Sequence, residues 1–523
     1  MKKFYLLLGI IAFFVSSLDA QVRYLEPVFD DFEMETVVYA TNISVLSGSS
    51  EAMDLEMDIY MPAGDTATNR PVFLYFHTGN FLPRPLNGST NGTRTDSTVI
   101  EIANRLTELG YVTAVVQYRL GWNPIGNLDE RISTLLNAAY RGIQDARTAV
   151  RYLRKDVVDN GNQFGIDPDK IAYFGQGTGG YITFGAATLD QYTDILIPKF
   201  FGPDQTGDGN PDPYVIEAIH GDPFGTSDAL ASLANHVTYD DGTPIDSDVK
   251  LSVNIGGALA DTSWISENNP PMISFHVPND PFAPYMEDVL IVPTTGDLIV
   301  EVQGSYLAQY KANEVGLNDI FIDAGIEDAY TTAANQNNDG LAGLFPFVRP
   351  VWTNPFTQGP ATESAPWEWW SPEIWSQVAH PNCPDGTEIE QCNFHIMSSI
   401  NNPDMSPEKG RAYIDSIMGY VIPRAIVAFG LDVSSDVTEL SHSDVDFKLY
   451  PNPSRGQVYF TSSADAIMHG IEVYDLNGRL IYQNQQIDHS YYELSADRLP
   501  AGMYITRVRF QEGVLMQQFV VQN

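Results

Sequence analysis

Residues 173–181 read YFGQGTGGY, and the way this stretch is read decides the fold. The apolar run Ile171–Phe174 ends at Gly175, and helix-compatible residues resume at Thr178 and continue to Leu189. Where a strand turns sharply into a helix, strand end and helix start press together, so small residues are needed two before and two after the centre of the turn. Gly175 and Gly179 meet that requirement with Gly177 at the centre. Centring the turn on Thr178 instead puts Gln176 where a small residue is required. Glycine takes up the strained backbone of such a corner without steric cost.

Outward from this turn, strand-like and helix-like runs alternate between about Arg23 and Gly430, the pattern of a largely parallel sheet covered by helices. PVFLYF (71–76) and YVTAVVQY (111–118) are apolar runs of buried-strand type. Between them Ser97 can cap a helix with Val99, Ile100, Ala103 and Leu106 at helical spacing, closed by Gly110. A helix over about 133–158 lines up Leu136, Ala139, Ile143, Ala146, Val150 and Leu153. Leu251–Ile255, Met272–Phe275 and Ile320–Ile322 supply three more strand candidates. A last helix, capped by Ser406 with Pro407 in its first turn, runs to about Phe429.

Three motifs carry a resemblance. FHTGNF (76–81) resembles the His-Gly-Gly-Gly-Phe loop of esterases and lipases, QYRLGW (117–122) their Tyr-Arg-Leu strand end, and IDPDKIAYFGQGTGG (166–180) the strand leading into their nucleophile elbow. The chain thus resembles the carboxylesterase and feruloyl-esterase branch of the α/β-hydrolase fold, which implies a mostly parallel central sheet and an ester-hydrolase lineage. In that frame Gly177 stands at the nucleophile position and has no side chain with which to attack a carbonyl. Thr178 is the neighbouring hydroxyl. ISFHVPNDPFAPY (273–285) resembles the strand and turn that present the acid, which assigns that role to Asp280; the alternative is that Asn279-Asp280-Pro281 is only a turn. The base should follow the last strand, and the first histidines there are His380 and His395, each equally readable as a loop residue. His77 belongs to the oxyanion-loop motif and would order that loop. Backbone N–H groups near Gly79 and Asn80, with that of Thr178, would form an anion-binding hole.

The expectation is a degenerate triad with a retained ligand pocket. Two alternatives stay open: an active ester hydrolase using Thr178 or a bound water with Asp280 and a histidine from the insertion, or a surface structural protein. Five of the seven tryptophans lie between 352 and 375, among them Trp369 and Trp370. They read either as a satellite core or as a wall for a carbohydrate or aromatic-ester ligand. No cofactor is expected.

Both ends point outside the cell. Residues 1–20 have the basic start, short apolar run and small-residue exit of an export signal. Beyond them, no run reads as long enough to cross a bilayer. LYPNPSRGQVYF (449–460), IEVYDLNGRLIY (471–482) and LPAGMYITRV (499–508) together resemble the type A C-terminal sorting domain of type IX secretion in Bacteroidetes. That resemblance implies recognition by the secretion machinery and release outside the cell or attachment to its surface. Physically, Asn477-Gly478 suits the hairpin turn between alternating strands. The segments are therefore a signal (1–20), an α/β domain (21–430) with an aromatic-rich insertion at about 326–400, a Ser/Asp-rich linker (431–446) and a small all-β unit (447–523).

The net charge is −39, from 67 acidic and 28 basic side chains, and such a surface repels phosphate backbones. No nucleic-acid partner is expected. Cys383 and Cys392, the only cysteines, should pair in an exported chain; zinc with the flanking His380 and His395 is the other reading, against the usual ligand spacing. Asp204, Asp208 and Asp212 around glycines suggest a calcium loop or a plain acidic loop, and their spacing fits no EF-hand. No metal is assigned.

Overall fold

The computed structural model describes residues 22–522 apart from Pro85, 293–294, 355–357, Asp385, 432–439, Ser443, 476–479, 485–486, 497–498 and 511–513. The export signal, most of the linker and the Asn477-Gly478 turn lie outside the described residues. The chain divides into two compact units, the larger assigned to residues 23–432 and the smaller to the residues after these.

The larger unit is built on an eight-stranded sheet: β1 (Phe32–Ser44), β2 (Glu51–Pro62), β3 (Arg70–Phe76), β4 (Val112–Val116), β5 (Ile166–Gln176), β6 (Leu251–Ile255), β7 (Met272–His276) and β8 (Leu344–Pro346). Their spatial order is β1-β2-β4-β3-β5-β6-β7-β8. The pairs β1/β2 and β2/β4 are antiparallel, and every later pair is parallel. Every residue of β3, β4, β6 and β7 is buried, as sheets covered on both faces require. Helices α1 (Ser97–Glu108), α2 (Leu128–Asp159), α3 (Thr178–Thr188) and α4 (Pro407–Phe429) pack on the sheet and on one another. This is the α/β-hydrolase architecture.

The start of α2 lies five residues before the expected Ser133. Asn127 accepts from the backbone N–H of Glu130 while the Glu130 carboxylate accepts from that of Asn127, a reciprocal cap that fixes the first turn. One expected strand is a helix: Asp319–Asp323 forms a single helical segment, with Phe321 buried and Ile320 and Ile322 exposed. Three apolar residues in a row fit either state, and the edge strand is instead Leu344–Pro346, parallel to β7. The aromatic-rich insertion therefore follows residue 346. Helix α4 has the length and apolarity of a membrane span, a feature the sequence reading passed over. It is packed in the unit, with Ile414, Ile417, Tyr420 and Val421 buried and the Tyr420 ring edge-on to Phe275 of β7.

The smaller unit is all β, with a three-stranded sheet (Lys448–Tyr450, Gln457–Thr461, Tyr491–Ser495) and a four-stranded sheet (Met468–Asp475, Leu480–Asn484, Gly502–Phe510, Val514–Val521). Its own core includes Val458, Phe460, Ile471, Val473, Val508 and Phe519.

Candidate functional site

The carboxyl ends of the parallel strands deliver the site, as is general for open α/β sheets. At the end of β5 the chain turns into α3 at Gly177, with φ 54° and ψ −117°. A β-carbon on Gly175 would lie 2.2 Å from the Gly179 carbonyl oxygen, and one on Gly179 would lie 2.0 Å from that of Phe76. Strand and helix touch backbone to backbone here, which is why those positions carry glycine. Thr178 opens α3, and Gly177 N–H donates to Ile255 O at 2.8 Å.

The side-chain place at Gly177 is taken. A β-carbon there would stand 2.2 Å from Thr78 Oγ1 and 2.9 Å from Thr78 Cβ. Thr78 follows β3 in the motif FHTGNF, and the esterase pattern has glycine at that position. Threonine there is a departure visible in the sequence itself.

Gly79, Asn80 and Phe81 follow with φ of 133°, 54° and 53°, a bent loop end that lines a cavity together with Gly177 and Thr178. His77 is buried beneath this loop. Its Nδ1–H donates to Thr78 O at 2.5 Å and its ring stacks on Tyr118 at 4.8 Å. Burial lowers its pKa, which favours the neutral ring. Thr178 lines the cavity, and its hydroxyl pairs with the buried Tyr118 Oη at 3.2 Å. Burial holds Tyr118 well above the ordinary tyrosine range, so this partner is no base at neutral pH.

Asp280 lines the same cavity, with Oδ1 accepting from the N–H groups of Phe282 (2.8 Å) and Ala283 (3.3 Å). Among the described residues, no histidine hydrogen-bonds to it. His276, four residues earlier, is fully buried, with Nδ1 on Ser305 Oγ (2.7 Å) and Nε2–H on Ala283 O (3.0 Å). His380 lines the cavity, but both ring nitrogens are engaged: Nε2–H donates to Gly88 O at 3.3 Å and Nδ1 accepts from Asn382 N–H at 3.1 Å. Burial lowers its pKa. His395 is not part of the lining; its Nδ1 accepts from the Trp370 indole N–H at 3.2 Å.

The cavity encloses about 390 Å³. Trp122, Trp367 and Trp370 form walls, whereas Trp369 is buried away from it under the Arg411 guanidinium, 5.5 Å from its ring centroid. The disulfide Cys383–Cys392 closes the loop beside His380 and Asn382. The acidic loop directs its carboxylates inward, Asp204 onto Gly207 and Gly209 N–H and Asp212 onto Gln205 and Thr206 N–H. Among the described residues, no group of three or more His, Cys, Asp or Glu side chains is arranged to hold a metal ion.

One site residue was not anticipated. Glu368, from the insertion after β8, reaches the cavity beside the elbow. Its Oε1 accepts from Gln176 Nε2 at 2.5 Å and its Oε2 from Asn91 Nδ2 at 2.7 Å. Gln176 is oriented in turn by Tyr75, whose hydroxyl donates to its Oε1 at 2.8 Å. Burial pushes Glu368 up to about 7, with Asp96 adding to the effect; burial pushes Asp280 up to about 8, with Glu368 adding to it. Nothing local in the sequence marks Glu368, because its link to Gln176 spans 192 positions.

Residues 57–293 match the BD-FAE family model, and residues 448–522 match the secretion system C-terminal sorting domain. No curated protein matches the chain. Among solved structures, similar chains include Thermogutta terrifontis esterase 2 phosphorylated by paraoxon (19% identity, 48% of this chain and 73% of that one, TM-score 0.28). The butyrate-bound form of that esterase aligns at 18% identity over 48% and 74%, TM-score 0.27. MGS-M1, an alpha/beta hydrolase enzyme from a Medee basin deep-sea metagenome library, aligns at 16% identity over 49% and 73%, TM-score 0.26.

Proposed function

We propose that this protein, an esterase-like α/β hydrolase with a feruloyl-esterase-like BD-FAE domain joined to a type IX sorting domain, has given up serine-ester hydrolysis and uses its pocket to hold a ligand. The sorting domain indicates recognition by the type IX secretion system and delivery to the cell surface or the extracellular space. The esterase-like lineage rests on the BD-FAE match. The single observation that carries the loss of chemistry is the filled corner at Gly177. The nucleophile position has no side chain, and Thr78 stands where one would be.

Three further facts support the reading. Asp280, the acid position, has no histidine partner among the described residues, and its carboxyl is held by backbone N–H groups. The Thr178 hydroxyl meets only Tyr118 among side chains, so nothing beside it takes a proton near neutral pH. The cavity itself persists, with three tryptophans and several amides on its walls, which suits a carbohydrate, polyester or aromatic-ester ligand. The decisive experiment is incubation of the full chain with p-nitrophenyl and feruloyl esters and with a serine-directed phosphonate. Background turnover and no covalent label are expected. Label lost in Thr178→Val would instead make Thr178 the nucleophile of an active hydrolase.

A further inference from the structure

Glu368 and Asp280 both line the cavity, and the charge of Glu368 adds to the effect of burial in raising the pKa of Asp280. No lysine or arginine lines the cavity among the described residues. Glu368 accepts on both oxygens from amide NH2 groups, and Asn91 and Gln176 offer it donors only in this arrangement. Both hydrogen bonds are stronger to a carboxylate than to a neutral carboxyl, so they favour the ionised form that burial opposes. A cation in the cavity resolves that conflict.

The aromatic lining says what else the ligand carries. Trp122, Trp367 and Trp370 add aromatic surface that favours both a flat apolar body and an ammonium head.

We infer that the cavity binds an organic cation with an ammonium head and an aromatic or apolar body, the ammonium set against Asp280 and Glu368 and the body among Trp122, Trp367 and Trp370. This inference rests on the pocket being a ligand site, as proposed above, and narrows the ligand from the neutral sugars and esters considered there to a cationic molecule, of which a cationic aromatic ester is one form. A neutral ester or sugar gains nothing when the two carboxyls ionise, whereas a cation is held more tightly as they do. An anion would add a third negative group.

The other titratable groups around the pair do not supply that counter-charge. Behind Glu368, Asp96 is paired with Arg84 at 3.4 Å. His380 is held neutral by burial. Tyr75 and Tyr181 are raised well above the tyrosine range and stay uncharged. The pH dependence of cation binding therefore reports Glu368 and Asp280, and affinity should rise as they ionise.

The test uses the full chain and three probes of similar size, followed by quenching of tryptophan fluorescence. These are benzoylcholine, its uncharged carbon isostere 3,3-dimethylbutyl benzoate, and the anion hippurate. Benzoylcholine should bind at least about tenfold more tightly than the isostere near about pH 9, and hippurate should not compete. That preference should fall by about tenfold or more near about pH 6, where both carboxyls are protonated. Glu368→Gln and Asp280→Asn should each reduce it by about tenfold with unchanged circular dichroism. Equal binding of the isostere, competition by hippurate, no binding of benzoylcholine, or an undiminished preference in both folded variants would overturn the inference. Hydrolysis of bound benzoylcholine would sink the non-catalytic reading while leaving the cation preference to be judged on its own.

Discussion

Placing a serine at 177 tests the physical core of this account. A β-carbon at that position stands 2.2 Å from Thr78 Oγ1, and rotating the threonine about its Cα–Cβ bond cannot clear it, because Thr78 Cβ itself is 2.9 Å away. Ordinary contact begins at about 3.4 Å, so the two chain segments must separate by roughly half an ångström or more. Overpacking of this kind costs about 1–3 kcal/mol, and a non-glycine residue in the left-handed region adds about 1–2 kcal/mol. Gly177→Ser should therefore lose about 2–5 kcal/mol of unfolding free energy in the larger unit. Thr78→Gly in the same chain removes the clash but not the backbone strain, so it should return about 1–3 kcal/mol. Urea unfolding of the four proteins in this cycle, followed by tryptophan fluorescence, measures the coupling directly. Additive costs, with Thr78→Gly giving no rescue, would refute the claim that Thr78 occupies the nucleophile's place. Neither serine variant should gain more than slight esterase activity, because no histidine partners Asp280 among the described residues.

Other expectations follow from the same geometry. Folding moves Glu368 from 4.5 to about 7, so the folded state binds the extra proton and wild type loses stability as pH rises through that window. Glu368→Gln cannot lose it, and its stability relative to wild type should improve by about 3 kcal/mol between about pH 4 and pH 9, flat above; a pH-independent difference contradicts the assignment. Thr178→Val removes only the hydroxyl contact to Tyr118 and should leave ester turnover at the wild-type background in p-nitrophenyl assays. Cys383→Ser opens a loop of sequence separation 9 and should cost about 2–3 kcal/mol, read by denaturant titration without reductant.

Much of the fold was legible because its signals are local. The apolar runs 71–76, 111–118 and 251–255 are strands because both faces are covered, and the glycines at 175 and 179 follow from backbone contact across the turn. Ile320–Ile322 misled because a three-residue apolar run carries no period, while the true edge strand, Leu344–Pro346, is equally short and ends in proline. At the site, Gly177 could be placed by spacing, and Thr78 could have been, since it departs from the glycine expected in its motif. Glu368 could not. Its position depends on how the insertion after β8 folds back over the sheet, and only the structure shows its hydrogen bonds to Gln176 and Asn91. His380 reaches the cavity and His395 does not, a distinction that composition around the two cysteines does not contain.

The most direct test of the central claim is a fluorophosphonate reaction with the full-length protein, read by intact-mass spectrometry alongside feruloyl-ester turnover. An unmodified mass and turnover no faster than that of the Thr178→Val variant are expected. A single stoichiometric adduct on Thr78 or Thr178, with turnover that disappears when that threonine is replaced, would show that the hydroxyl chemistry persists at the elbow and contradict it.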